Sequence, residues 1–136
     1  MNDSAPPAVQ MLKPKVVSEV LGQAVTDGVT GAILMNLEGA PLAYSGGGSE
    51  QQCDVVAAIA SNIWAAGTKH GLTVFDDQLA LQLFDCEEGR MCVCPVTSLL
   101  LCVFGARTVP LGMLRAKAEA LGGYLSGPLT EVAGAD

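Results

Sequence analysis

The stretch that most limits what this chain can fold into is QCDVVAAIASNIWAAGT, residues 52–68, which carries no charge between Asp54 and Lys69. Val55, Ile59, Ile63 and Ala66 recur at helical spacing and make one apolar stripe, with Gln52 and Val56 beside it. Cys53, Ala57, Ala60 and Trp64 make a second stripe, about a third of a turn away. Ala58, Ser61 and Ala65 keep the remaining surface small and uncharged. A helix that is apolar nearly all round requires burial on more than one side. Lying on a sheet, it covers only one. The spacing assigns the Val55 stripe to a sheet. The Cys53 stripe, small residues with one large Trp anchor, is then left for a partner subunit or for other helices of the same domain.

The segments around this helix supply the sheet. Pro14 suits the first turn of a helix, and Val16, Val17, Val20, Leu21 and Ala24 continue it to about residue 26. Val29–Met35 reads as a strand, Asn36-Leu37-Glu38-Gly39 as a tight turn and Ala40–Ser45 as the return strand. The long helix is expected over about 51–69, stopped by Gly71. Three strands follow, at Gln78–Asp85, Met91–Pro95 and Leu99–Gly105. A last amphipathic helix begins near Thr108 and carries Leu111, Leu114, Ala118, Leu121 and Leu125; Gly127-Pro128 should break it before a short tail at 129–132. The order α-β-β-α-β-β-β-α, joined by hairpins, implies a five-stranded antiparallel sheet in a layered α/β sandwich. Residues 1–11, with Pro6 and Pro7, read as a flexible arm, leaving one domain over 12–136.

Composition removes whole classes of function. Half of the residues are hydrophobic, so global disorder is excluded. The net charge is −7 and only seven residues are Lys or Arg. Nucleic acid and anionic lipid both demand basic side chains, so neither is an expected partner. The first ten residues lack the pattern of a signal peptide, Asn2 does not suit N-myristoylation, and Leu99–Phe104 is too short an apolar run to span a bilayer. Direct membrane insertion is therefore not expected. Five cysteines, an odd number, point to reduced thiols in the cytoplasm.

No motif carries catalytic chemistry. Gly46-Gly47-Gly48-Ser49 precedes a helix, but Glu50-Gln51-Gln52 stands where a phosphate loop needs Lys-Ser/Thr. Cys92 and Cys94 share one face of a strand, yet zinc needs two further ligands. His70 reads as a charge at a helix end, and Asp76-Asp77 and Glu87-Glu88 as solvated turns. The expectation is no catalytic residue, no cofactor and no metal.

Several segments resemble the roadblock/dynein-light-chain family, and within it the roadblock subunits of Ragulator-type (late endosomal/lysosomal adaptor) scaffolds. They are MLKPK at 11–15, ILMNLEG at 33–39, LAYSG at 42–46, AAIASNIWAA at 57–66, FDCEEGR at 84–90, LLLC at 99–102, GMLRAKAEAL at 112–121 and YLSGPLTEV at 124–132. The resemblance implies a roadblock (profilin-like) three-layer sandwich, with the long helix on one sheet face and the other two on the opposite face. It implies heterodimerisation with a second roadblock-type subunit through the long helix and the third strand. That would place Cys53, Ala57, Ala60, Ser61, Trp64, Leu79, Leu81 and Leu83 at the partner. It also implies a non-enzymatic adaptor on the late endosome or lysosome, held there by a lipid-anchored scaffold subunit, that recruits Rag-type GTPases for TOR and MAPK signalling. A homodimeric regulator of a small GTPase and a motor light chain share the same fold.

Overall fold

The computed structural model describes residues 13–135, with side chains to 127; the expected arm at 1–11 lies outside them. The elements run α1 (Pro14–Gly22), β1 (Val29–Met35), β2 (Pro41–Gly46), α2 (Glu50–Phe75), β3 (Gln82–Asp85), β4 (Arg90–Val96), β5 (Leu99–Gly105) and α3 (Leu111–Ala135). The sheet order is β2-β1-β5-β4-β3, antiparallel throughout. This is the expected order and sheet.

Alternation along the strands sorts side chains onto two faces. Ala32, Leu34, Cys92, Cys94, Leu101 and Val103 meet Val17, Val20, Leu21 and Ala24 of α1 and Leu114, Ala118, Leu121 and Leu125 of α3. Ile33, Met35, Val93, Leu100 and Cys102 point the other way and meet α2. The three layers therefore stack as expected, with α2 alone on one face. Lys117 of α3 ties its layer together, its Nζ donating to the Thr26 carbonyl at 2.9 Å and to Thr26 Oγ1 at 2.8 Å just beyond α1.

Element ends differ from the sequence reading for local reasons. α1 stops at Gly22 rather than near 26, because Gln23, Ala24 and Val25 donate to carbonyls three residues back and tighten the chain. α2 passes Gly71 and ends at Phe75. A helical glycine costs only about 1 kcal/mol, which a 26-residue helix absorbs. The stop comes at Asp76, in the left-handed conformation (φ 51°), whose N–H closes on the Leu72 carbonyl. β3 begins at Gln82, not at 78, because residues 78–81 carry the chain down from α2 to the sheet. α3 starts at Leu111, after a turn in which Val109 bonds Ala106. It runs unbroken through Gly127-Pro128 to Ala135, so the separate tail at 129–132 does not occur. Proline removes one ladder donor and bends a helix without always ending it.

Candidate functional site: the free face of α2 and the β3 edge

The start of α2 is fixed by a capping box. Ser49 Oγ accepts from the Gln52 N–H at 3.1 Å, and Gln52 Oε1 accepts from the Ser49 N–H at 2.8 Å. This sets the helix phase. Two glycines then bring α2 close to the sheet and its turns. Gly39 has φ +91°, and a Cβ there would stand 2.6 Å from Ser61 Oγ and 3.0 Å from Ala58 Cα. Gly47 has φ +79°, and a Cβ there would stand 3.0 Å from Phe104 Cζ and 3.1 Å from Cys53 Sγ.

At that approach only small side chains fit beneath the helix, and the two stripes exchange the roles read from the sequence. Cys53, Ala57, Ala60 and Trp64 are buried against Ile33, Met35, Val93, Leu100 and Cys102 of the chain's own sheet. Ser61 is buried with them, its hydroxyl donating to the Ala58 carbonyl at 3.0 Å. These five are not a surface for a partner. The helix could not turn them outward without driving Val55 and Ile59 into a gap sized for alanine.

The stripe expected to cover the sheet is the free one. Val55 is 54% exposed and Ile59 51%; Ala66 is exposed and Ile63 is half-buried. Further on, Val74 is 69% exposed. At about 100° per residue, Val56, Ile59, Ile63, His70 and Val74 all lie on the side of α2 turned toward β3. The His70 reading also changes: it is exposed and lies inside α2, short of the helix end.

Among the described residues β3 forms the sheet edge beside that face, paired with β4 alone. Its three expected interface leucines divide. Leu79 packs with the α2 cluster and Leu81 with the opposite core, both half-buried, while Leu83 is 39% exposed on the edge strand itself. Gln82 fastens β3 to α2, its Nε2 donating to the Ile63 carbonyl at 3.3 Å, while its buried Oε1 has no hydrogen-bond partner among the described residues. At the other end of β3, Arg90 donates from Nε to Asp85 at 2.9 Å and from Nη1 to the Val109 carbonyl at 2.7 Å. That hydrogen bond holds the Asp85 carboxyl below its ordinary range.

Two open pockets flank the free face of α2. One, of about 460 Å³, is lined by Gly47, Gln51, Gln52, Val55 and Val56. The other, of about 350 Å³, is an apolar slot that includes Ile63, Phe84, Met91 and Phe104. Exposed apolar helix faces and sheet-edge strands are the kinds of surface through which proteins associate.

Cysteine chemistry adds nothing to this site. Cys92 and Cys94 are buried beneath α3, where desolvation pushes their thiols up to about 11 and about 12. Cys102 is buried on the opposite sheet face, and Cys86 is exposed in the β3–β4 turn. Among the described residues, no group of three or more His, Cys, Asp or Glu side chains could hold a metal ion. No described helix is long and apolar enough to cross a membrane.

The geometry agrees with what the chain is similar to. The family model for the Roadblock/LC7 domain matches residues 18–104. A curated relative, the Ragulator complex protein LAMTOR2 homolog of Caenorhabditis elegans, is 36% identical over 126 residues, covering 90% of this chain and 96% of that protein. Among solved structures, a Roadblock/LC7 domain from Streptomyces avermitilis superposes with a TM-score of 0.77 at 18% identity, over 83% of this chain and 97% of that one. The gliding protein MglB of Thermus thermophilus gives the same score and identity over 88% and 92%. At such identity the structures speak for the fold, while the family model and the nematode relative establish descent: the chain belongs to the Roadblock/LC7 family.

Proposed function

We propose that this chain is a non-enzymatic adaptor subunit that heterodimerises with a second roadblock-type subunit in a Ragulator-like complex. The observation that carries the pairing is the free face of α2, with Val55 and Ile59 each about half exposed, running beside the unpaired edge of β3. Burying a large aliphatic side chain stabilises by roughly 1.5–3 kcal/mol, so covering several half-exposed ones favours association. Pairing β3 with a partner's edge strand would also satisfy its outward N–H and C=O groups. Leu83 lies in that seam, on the strand that Gln82 fastens to Ile63. Support for the kind of complex comes from the relative named as a Ragulator complex protein. On that reading, a separate lipid-anchored subunit holds the pair on the late endosome or lysosome, where it recruits Rag-type GTPases for TOR and MAPK signalling.

Affinity purification of the tagged full chain, with identification of the bound proteins by mass spectrometry, tests this. The reading predicts a second roadblock-type subunit at near-equal amount, together with GTPase subunits. Recovery of dynein intermediate chain in their place would replace it with the motor light-chain reading.

A further inference from the structure

Two glycines inside α2, Gly67 and Gly71, lie four residues apart and so on one side of the helix. The chain that returns from α2 to the sheet runs back along that side. A Cβ on Gly71 would stand 3.7 Å from the Asp77 carbonyl oxygen, an ordinary contact. A Cβ on Gly67 would stand 2.9 Å from Leu79 Cδ2 and would overlap Gln82 Nε2. Because Gly67 has no side chain, the Gln82 amide reaches the helix backbone and bonds the Ile63 carbonyl. Gly67 supplies the seat and Gln82 the clasp.

Little else holds this stretch. None of the residues from Asp77 to Phe84 is buried, whereas six of the seven residues of β1 are. Leu79, Leu81 and Phe84 are its half-buried apolar contacts. The clasp gains one bond at Nε2 and gives up the hydration of Oε1, which is buried without a partner among the described residues. Both ends of the stretch are pivots. Asp76 is left-handed (φ 51°). At the other end the Cys86 N–H donates to the Gly89 carbonyl at 2.9 Å, and Arg90 holds Asp85. A stretch of unburied residues between two pivots, on a sheet edge, opens at a lower free energy than the core it lies on.

We infer that residues 77–84 form a strap, clasped by Gln82 over Gly67, that opens and closes as a unit while the rest of the sheet and its helices stay folded. Closed, the strap presents β3 as the sheet edge; open, it takes that edge away. Where β3 is the edge that meets a partner, as proposed above, association requires the closed strap. The strap itself does not depend on that reading.

Amide hydrogen exchange of the full-length chain, followed by NMR, tests it. The Cys86–Gly89 bond and the strand register aim the N–H groups of Met91 and Val93 at β3, and those of Cys92 and Cys94 at β5. Opening of the strap exposes only the first pair. The expected result in the parent is exchange at Met91 and Val93 faster than at Cys92 and Cys94 by a common factor of about ten or more. Gly67→Ala displaces the clasp and should quicken the first pair about tenfold further, with the second pair unchanged or slower because alanine favours the helix. Gly71→Ala gains the same helix preference without touching the clasp, and should quicken neither pair. Equal exchange of both pairs in the parent overturns the strap, since β3 would then leave only on global unfolding. Fast exchange at Val93 alone overturns the opening as a unit. Quickening of the first pair by both glycine variants, or by neither, overturns the clasp; should Gly67→Ala not fold, the parent comparison decides the strap by itself. If the strap fails here while Ile59→Asp still loses a sister subunit, the functional reading stands and this inference alone falls.

Discussion

Ala60 and Ile59 are neighbours along α2, yet Ala60 is fully buried against the sheet and Ile59 stands half in solvent. The two positions separate fold from association. Ala60→Asp places an unpaired carboxylate against Met35 and Leu100, and a buried unpaired charge costs on the order of 3 kcal/mol or more. Ile59→Asp exposes its charge to water and should change stability by less than about 1 kcal/mol. Urea unfolding of the two variants checks this, and equal losses would put α2 in the wrong phase.

That phase depends on the capping box. Ser49→Ala removes the oxygen that accepts from Gln52, and the loss of such a cap costs about 1 kcal/mol. The expected outcome is a lower urea midpoint with an unchanged denaturant slope, and amide exchange quickened first at residues 50–53. Exchange unchanged there would show that the cap does not hold the helix start.

Thiol reactivity should divide the cysteines by location. Cys92 and Cys94, with thiols pushed up to about 11 and about 12 by burial, are neutral near pH 7, and Cys53 and Cys102 are buried. Cys86 is exposed. A thiol-reactive reagent should label Cys86 rapidly in the folded chain and the other four only as it unfolds. Rapid labelling of Cys94 would contradict its place beneath α3.

Asp85 supplies a pH dependence of known sign. Hydrogen bonding from Arg90 lowers its carboxyl below the ordinary 3.8, so the folded chain binds that proton less readily than the unfolded chain. The carboxylate therefore stabilises the fold above that ordinary value, and the contribution is lost as pH falls through the lowered one. The unfolding midpoint of the parent should exceed that of Asp85→Asn at about pH 6, and the gap should close at strongly acid pH. The group is exposed, so the gap is small. A gap that widens on acidification would reverse the sign.

The strands and their order are legible in the sequence because VTGAILM and LLLCVFG are short apolar runs bounded by turn residues. The hairpin at Asn36–Gly39 is legible for the same reason. The two faces of α2 are not distinguishable by periodicity, since both stripes are apolar and regularly spaced. What sorts them is the gap between helix and sheet. That gap depends on glycines far away in sequence, Gly39 in one turn and Gly47 in another. The signal was available as size rather than hydrophobicity: three of the four members of the buried stripe are Cys or Ala, and the exposed stripe is mostly β-branched. The ends of α2 and α3 are hidden for a different reason. Gly71 and Gly127-Pro128 are breakers by propensity, and long helices packed elsewhere along their length override propensity.

Capture of the sister roadblock subunit by Ile59→Asp, set beside capture by the parent chain, bears most directly on what α2 is for. The account predicts that the variant melts at nearly the parent temperature and brings down little or none of that subunit. Recovery of the subunit at the parent yield, with the variant folded, would show that the outward face of α2 is not where association happens.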